Sequence, residues 1–227
     1  MIKFYYHPSP NPEKVALLLE EIGLPYEVVP VDTRRGDQHK PEFLKINPNA
    51  KTPALTDGDA VVFDSNAILL YLAEKTGKFL PKNTPERRGE LLSWLMFVAT
   101  GIGPYSGQAV HFNRFAPEKL AYAIQRYNFE AERHWSIVDS RLAKRQFMVG
   151  DSYGIVDMAV WGWASRIPFI FEQGYAKFPN VKRHFDEITA RPAAQRANAL
   201  KSKHQFKTDY DDEAKRNLFP AMKQSAA

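Results

Sequence analysis

The chain of 227 residues contains no cysteine. That excludes disulfides, thiolate metal sites and any mechanism with a protein thiol as nucleophile. It leaves the compartment open and is compatible with the cytosol, so a cytoplasmic protein is expected. No apolar run approaches the ~20 residues that cross a bilayer, so no membrane partner is expected. Met1-Ile2-Lys3-Phe4 leads straight into a strand pattern, and no signal peptide is expected there. Charge of one sign is not concentrated either. Lys and Arg number 31 against 26 Asp and Glu, and no basic block is interleaved with aromatics, which argues against nucleic acid. The net charge of +5 gives a mild field that favours an anionic ligand. Internal repeats and low-complexity segments are missing, and no His and carboxylate spacing suggests a metal site.

The 44% hydrophobic content is ample for a packed core. The organising stretch is Lys51 to Lys75. Thr52-Pro53-Ala54-Leu55 is an apolar run opened by proline. Asp57-Gly58-Asp59 is a hairpin turn, since Asp-Gly suits the positive φ such turns need. Ala60 to Phe63 is the return strand, and Asp64-Ser65 starts a helix with Ile68, Leu69 and Leu72 on one face. A proline at the head of a strand cannot donate to the sheet, and the bond before it is the kind that takes the cis form. It leaves the Thr52 backbone able to pair with an extended peptide. The Ser65 amide and hydroxyl lie at a helix N-terminus, where a carboxylate is favoured. Together they describe a slot for a small anionic peptide; either half alone is a hairpin or a capped helix.

Upstream, Ile2 to His7 is a strand and Pro8-Ser9-Pro10 a rigid loop. Asn11-Pro12-Glu13 is expected to open a helix with Asn11 as its N-cap. Val15, Leu18, Leu19 and Ile22 form its buried face, and Gly23 ends it. Tyr26 to Val31 is a second strand, which completes a βαβ unit with parallel strands. Asp32 to Asn49 is a polar connector with a weak helix over 41–46.

Downstream the pattern is helical. Gly77 to Asn83 is a linker, and Thr84-Pro85-Glu86 starts a long helix loosened at Gly101, Gly103 and Pro104. Pro117 is expected to open the next. Residues 155–171 read as one central buried helix, and Pro179 to Arg191 as an amphipathic one. Asp211 to Leu218 adds a short helix to a polar tail. The expected domains are 1–77, a linker at 78–84, an all-helical domain over 85–200 and an extension over 201–227.

The Thr52-Pro53 and Asp64-Ser65 halves, in this order, resemble the glutathione-binding core of the glutathione transferase family. The likeness extends to Ser9-Pro10-Asn11, Asn47-Pro48-Asn49, DSNAILLYLAEKTG over 64–77, Gly103-Pro104-Tyr105-Ser106-Gly107-Gln108 and Tyr122-Ala123-Ile124-Gln125-Arg126-Tyr127. In these places the chain is similar to the bacterial branch called the Nu class. The resemblance implies an α+β two-domain protein, with a thioredoxin-like N-terminal domain (βαβ, α, ββα) followed by an all-helical one. A thioredoxin would carry C-x-x-C after its first strand, but His7-Pro8-Ser9-Pro10 stands there, so dithiol exchange is excluded. Asp157, three residues after Gly154, resembles half of a family capping box whose Ser or Thr is here Gly.

The resemblance implies a glutathione S-transferase with glutathione as co-substrate, a hydrophobic electrophile or disulfide as its other partner, and a homodimer. It places glutathione contacts at Asn11, Gln38, Lys51, Thr52 and Pro53, at Asp64 (one methylene shorter than the usual Glu) and Ser65, and at Arg126. Lowering the glutathione thiol by two pKa units needs roughly 2.7 kcal/mol of preferential thiolate binding. Hydrogen-bond donors beside a helix N-terminus can supply it. The candidates by position are Tyr5, Tyr6, Ser9 and Asn11, and the resemblance favours Ser9 and Asn11 as the catalytic pair. Each has a plain alternative: Asn11 as a helix cap, Ser9 as a turn residue, Gln38 as a solvated loop residue, Arg126 as half of a surface ion pair, and His111 as a structural histidine rather than a proton shuttle. Phe97, Tyr105 and Phe112 are candidates for the acceptor side. Two other functions stay open: disulfide reduction as the main activity, and a non-catalytic glutathione or hydrophobic-ligand binding module.

Overall fold

The computed structural model describes residues 1–220. It forms two compact units, Met1–Tyr71 together with residues 196–220, and Leu72–Gln195. The C-terminal extension therefore packs with the first unit.

That unit holds β1 (Ile2–Tyr6), α1 (Pro10–Ile22), β2 (Tyr26–Pro30), the short α2 (Pro41–Leu44), β3 (Ala54–Asp57), β4 (Ala60–Phe63) and the start of α3 (Ser65–Thr76). The sheet order is β2-β1-β3-β4. β1 runs parallel to β2 and antiparallel to β3, and β3 and β4 form the hairpin expected at Asp57-Gly58-Asp59. This is the thioredoxin-like arrangement. The core is built from Phe4, Val15, Leu18, Leu19, Leu55, Ile68 and Leu69, all fully buried. Each such side chain stabilises the fold by roughly 2 kcal/mol relative to exposure.

One boundary differs from expectation. α1 begins at Pro10, and its N-cap is Ser9, extended at φ −149°. Asn11 is thus inside the first turn. A residue before proline is pushed out of the helical region, and Ser9 precedes Pro10. Pro10 and Pro12 both fall where a missing N–H costs nothing.

The second unit contains the rest of α3, then α4 (Pro85–Phe97) and α5 (Gly103–Val110), which is followed by α6 (Ala121–Leu142), α7 (Ile155–Ala164), α8 (Ile167–Ile170), α9 (Pro179–Thr189) and the first half of α10 (Pro192–Ala199). Thr84 caps α4, its Oγ1 accepting from the Arg87 amide at 3.3 Å. The loosening expected near Gly101 is a π-turn over Val98–Ile102, and a second π-turn covers His111–Phe115. Pro117 does not open α6. Ala116 before it is held at ψ 138°, and Leu120 is still extended. Nor is 155–171 one helix. Pro168 has no N–H for the Ala164 carbonyl, and the Tyr175 hydroxyl donates to that carbonyl instead at 2.7 Å.

The cap of α7 rests on Asp157 alone. Its Oδ2 accepts from the Gly154 amide at 2.9 Å, and its Oδ1 from the Met148 amide at 2.8 Å. A Cβ at position 154 would lie 2.9 Å from the Phe79 carbonyl oxygen, so a Ser or Thr there would collide with backbone.

The polar tail carries α11 (Asp212–Leu218), capped by Asp211, whose Oδ1 accepts from the Ala214 amide at 2.9 Å. Among the described residues no helix is long and apolar enough to cross a membrane.

Candidate functional site

Strand register gathers the sequence-predicted residues of the first unit at one end of the sheet. Tyr5 pairs with Ala54 and Ala54 with Phe63. The chain therefore leaves β1 toward Ser9 beside Thr52-Pro53, where β3 is entered. It leaves β4 toward Asp64-Ser65 next to the same point. The Val31 amide donates to the Tyr6 carbonyl at 2.8 Å, which brings the end of β2 and the connector after it to this end as well.

The loop before Pro53 is held from inside by Asn47, which is buried. Its Nδ2 donates to the Lys51 carbonyl at 2.6 Å, and its Oδ1 accepts from the Asn49 amide at 3.0 Å. Thr52-Pro53 is a cis peptide. Lys51 itself is exposed. Among the described residues the Thr52 backbone enters no hydrogen bond, so its amide and carbonyl are available to a ligand strand.

Asp64 sits at φ 68°, in the left-handed region that a short polar side chain tolerates. Its Oδ1 caps α3, accepting from the amides of Asn66 at 2.8 Å and Ala67 at 3.2 Å. The residue is exposed, and Oδ2 accepts no hydrogen bond among the described residues. Ser65, the first residue of α3, is buried, and its hydroxyl has no hydrogen-bond partner among the described residues. The positive end of the helix and an unspent hydroxyl thus meet at one point, which suits a carboxylate.

Ser9 is half-buried, and its hydroxyl makes no cap bond to α1. Asn11 lies two residues on, in the first turn. Tyr6 is buried among Phe4 and Phe206, whereas Tyr5 packs on Phe43, ring centroids 5.8 Å apart. Both tyrosines are taken up by packing. Behind them His7 is buried with its Nδ1 unpartnered, and burial pushes its imidazole down to about 4.

Gln38 is buried rather than solvated. Its Nε2 donates to the Thr33 carbonyl at 3.1 Å and to the Asn217 carbonyl at 3.0 Å, while Oε1 has no partner. The tail is tied down nearby. The Lys207 amide donates to Asp32 Oδ2 at 2.7 Å, the Asn217 side chain to the Arg34 carbonyl at 2.9 Å, and the Arg34 guanidinium to the carbonyls of Lys207 and Thr208.

In the second unit Arg126 Nη1 donates to Glu130 Oε1 at 2.8 Å, and Arg133 binds the other oxygen at 2.9 Å. The hydrogen bond from Arg133 holds the Glu130 carboxyl below the usual range. Arg126 remains about half exposed. Phe97, Tyr105 and Phe112 are joined through two further rings. His134 lies 5.1 Å from Phe97 and 4.8 Å from Tyr105, and Tyr127 stacks on Phe112 at 5.2 Å. His111 is part-buried and held below its ordinary pKa by desolvation.

Two residues escaped the sequence reading. His134 is buried against Gly101, where a Cβ would come within 2.4 Å of the ring. Lys14 is fully buried, its Nζ donating to Asn66 Oδ1 at 3.0 Å. The signal for Lys14 was available, because it falls one turn before Leu18 on the face that the helical period assigns to the core. Among the described residues no three His, Cys, Asp or Glu side chains are grouped to hold a metal.

A thioredoxin-like unit with a cis proline at the head of β3 and a helical second unit define a glutathione transferase architecture. The family models for the glutathione S-transferase N-terminal domain and C-terminal domain match residues 1–74 and 96–192. The chain belongs to the glutathione S-transferase family. It is 42% identical over 209 residues to the disulfide-bond oxidoreductase YfcG of Escherichia coli (strain K12), covering 87% of this chain and 94% of that one. It is 37% identical to the disulfide-bond oxidoreductase YghU of the same organism, over 88% of this chain and 74% of that one. A crystal structure of a glutathione transferase family member from Pseudomonas fluorescens with two glutathione bound has a TM-score of 0.80 and 40% identity, covering 86% and 91% of the two chains. The transferase fold and enzyme class expected from the sequence stand on these findings.

Proposed function

We propose that this chain binds glutathione at the open end of its sheet, holds the sulfur as thiolate beside Ser9 and Asn11, and passes it to a disulfide or an electrophile. The observation that carries the reading is the pair of unspent groups at that end, the Thr52 backbone and the Ser65 hydroxyl. An extended peptide pairs with the first, and a carboxylate binds the second. Asp64 offers its second oxygen to the ammonium of the same γ-glutamyl group. Gln38 Oε1 and Lys51 complete the proposed contacts on this unit, and a glutathione contact at Arg126 rests on the family resemblance. The glutathione-binding domain is taken as 1–77 and the helical domain as 85–200. A cytoplasmic homodimer is part of the proposal; the cysteine-free sequence supports the first element and the family resemblance the second.

Disulfides are the favoured acceptor, because two of the similar proteins are named disulfide-bond oxidoreductases. Without cysteine the protein supplies no sulfur of its own. One glutathione thiolate attacks the substrate disulfide, forms a mixed disulfide and expels a substrate thiolate. A second thiolate attacks the mixed disulfide at the glutathione sulfur. Glutathione disulfide forms, the remaining substrate thiol leaves, and the two electrons come from the two glutathiones.

The test is glutathione-dependent reduction of a small disulfide before and after maleimide treatment and removal of the reagent. Activity that survives the treatment is expected. Loss of activity with one modified residue would show a protein nucleophile, and no activity at all, with chloroarene conjugation intact, would favour conjugation.

A further inference from the structure

Lys14 lies 1% exposed in the second turn of α1, and its Nζ donates to Asn66 Oδ1 at 3.0 Å. An ammonium has three donors, and only this acceptor is bonded to it among the described residues. Asn66 follows Ser65 directly, so the charge sits beneath the first turn of α3. A lysine is rarely buried without a carboxylate partner, and a helix N-terminus is the wrong end for a cation. Of the charged groups on the surrounding elements, only Asp64 acts on it appreciably, from an exposed position that forms no ion pair with it. Buried charge and helix dipole thus add in the same direction, and the protein leaves them uncompensated at the point where Ser65 stands ready for an anion.

We propose that Lys14 is a positioning residue for the γ-glutamyl carboxylate of glutathione: it fixes Asn66 and the start of α3, and its charge is compensated only when that carboxylate arrives, so that binding draws a proton onto Lys14. It rests on glutathione being the ligand. The γ-glutamyl ammonium acts in the opposite sense by neutralising Asp64. Asp64 is exposed and screened by water, whereas Ser65 is buried and adjacent to the residue Lys14 holds. The carboxylate therefore dominates. Desolvation lowers Lys14 to a pKa of about 7 in the free protein, so it exchanges its proton near neutral pH. Compensation by the carboxylate completes the protonation.

The test is calorimetric titration of the full chain with S-methylglutathione at pH 7 in buffers of different ionisation enthalpy. This probe has no thiol to ionise, so any proton exchanged belongs to the protein or to the ligand's own amine and carboxylates, which do not titrate at this pH. Net proton uptake is expected, and it should vanish in Lys14→Met, with binding weakened severalfold. In Asn66→Asp the ammonium gains a permanent counter-charge, and uptake should vanish there as well. Binding without proton uptake, or uptake that persists in Lys14→Met, would overturn the inference while leaving glutathione as ligand. No binding of S-methylglutathione or glutathione at all would overturn the glutathione reading itself, and the role of Lys14 with it.

Discussion

Gln38 Nε2 donates to the Asn217 carbonyl at 3.0 Å, joining residues 179 positions apart. The same nitrogen holds Thr33, so both donors of the amide are spent on the protein and Oε1 is left as the buried acceptor. The C-terminal extension fixes which way this side chain presents itself. Phe206, in the same extension, closes edge-on against Tyr6 and His7 at 5.9 and 5.2 Å.

Truncation after Lys203 should therefore do two things. It should lower the melting temperature by several degrees, because Phe206 and Ala214 no longer cover the first unit. It should also weaken glutathione binding severalfold, because Gln38 loses its anchor. Thermal melts and a glutathione titration check both, and a truncated protein with unchanged affinity would mean that Gln38 takes no part in binding.

Ser65→Ala removes a hydrogen bond to a charged group, worth about 1.5–3 kcal/mol. Glutathione affinity should fall by about ten- to a hundredfold. The hydroxyl has no protein partner, so the melting temperature of the free protein should hardly move. Equal affinity for the variant and the parent would remove Ser65 from the site.

Asn11→Ala and Ser9→Ala should raise the apparent pKa of bound glutathione, read as thiolate absorbance against pH, with affinity changed by no more than a few-fold. Asn11 is not the cap of α1. A drop in stability alone therefore has no obvious source in lost capping, and an unmoved titration in both variants would exclude them as thiolate donors.

Arg126→Ala should raise the Kd for glutathione about tenfold. Its bond to Glu130 is half exposed, and Arg133 still neutralises that carboxylate, so the fold should be little affected. Arg126→Lys should recover only part of the affinity, since an ammonium cannot make a paired contact with a carboxylate. Full recovery with Lys would indicate a simple charge effect.

His7 supplies a pH dependence. Its imidazole is pushed by burial from 6.5 to about 4, against the pull of Asp32. Between those values the unfolded chain binds a proton that the native chain does not, so stability is full above pH 6.5 and falls as the pH drops toward 4. The loss amounts to about 3 kcal/mol. Denaturant melts of His7→Phe should show a shallower acid slope across this window, and an unchanged slope would assign the acid sensitivity to other groups.

Much of this protein was legible in its sequence because local rules act over a few residues. The Asp57-Gly58-Asp59 hairpin, the Thr84 cap, the Gly23 stop and the α11 helix follow from φ preferences and capping chemistry. The Thr52-Pro53 and Asp64-Ser65 halves of the site carry their signal in residue type and order. Distant partners decided the rest. Three alternating prolines allow more than one start for α1, and the extended backbone at Ser9 before Pro10 makes Ser9 the cap. Gly154 stands at a cap because the Phe79 carbonyl occupies the space of a side chain. The break before Pro168 is stabilised by the Tyr175 hydroxyl, eleven residues from the carbonyl it serves. Asn66 made a buried place for Lys14, 52 residues earlier in the chain. Asn217 did the same for the amide of Gln38. Propensity and periodicity report what a residue prefers among its neighbours in sequence. Whether a buried polar atom is satisfied depends on which group the fold brings opposite it, and only the tertiary structure fixes that.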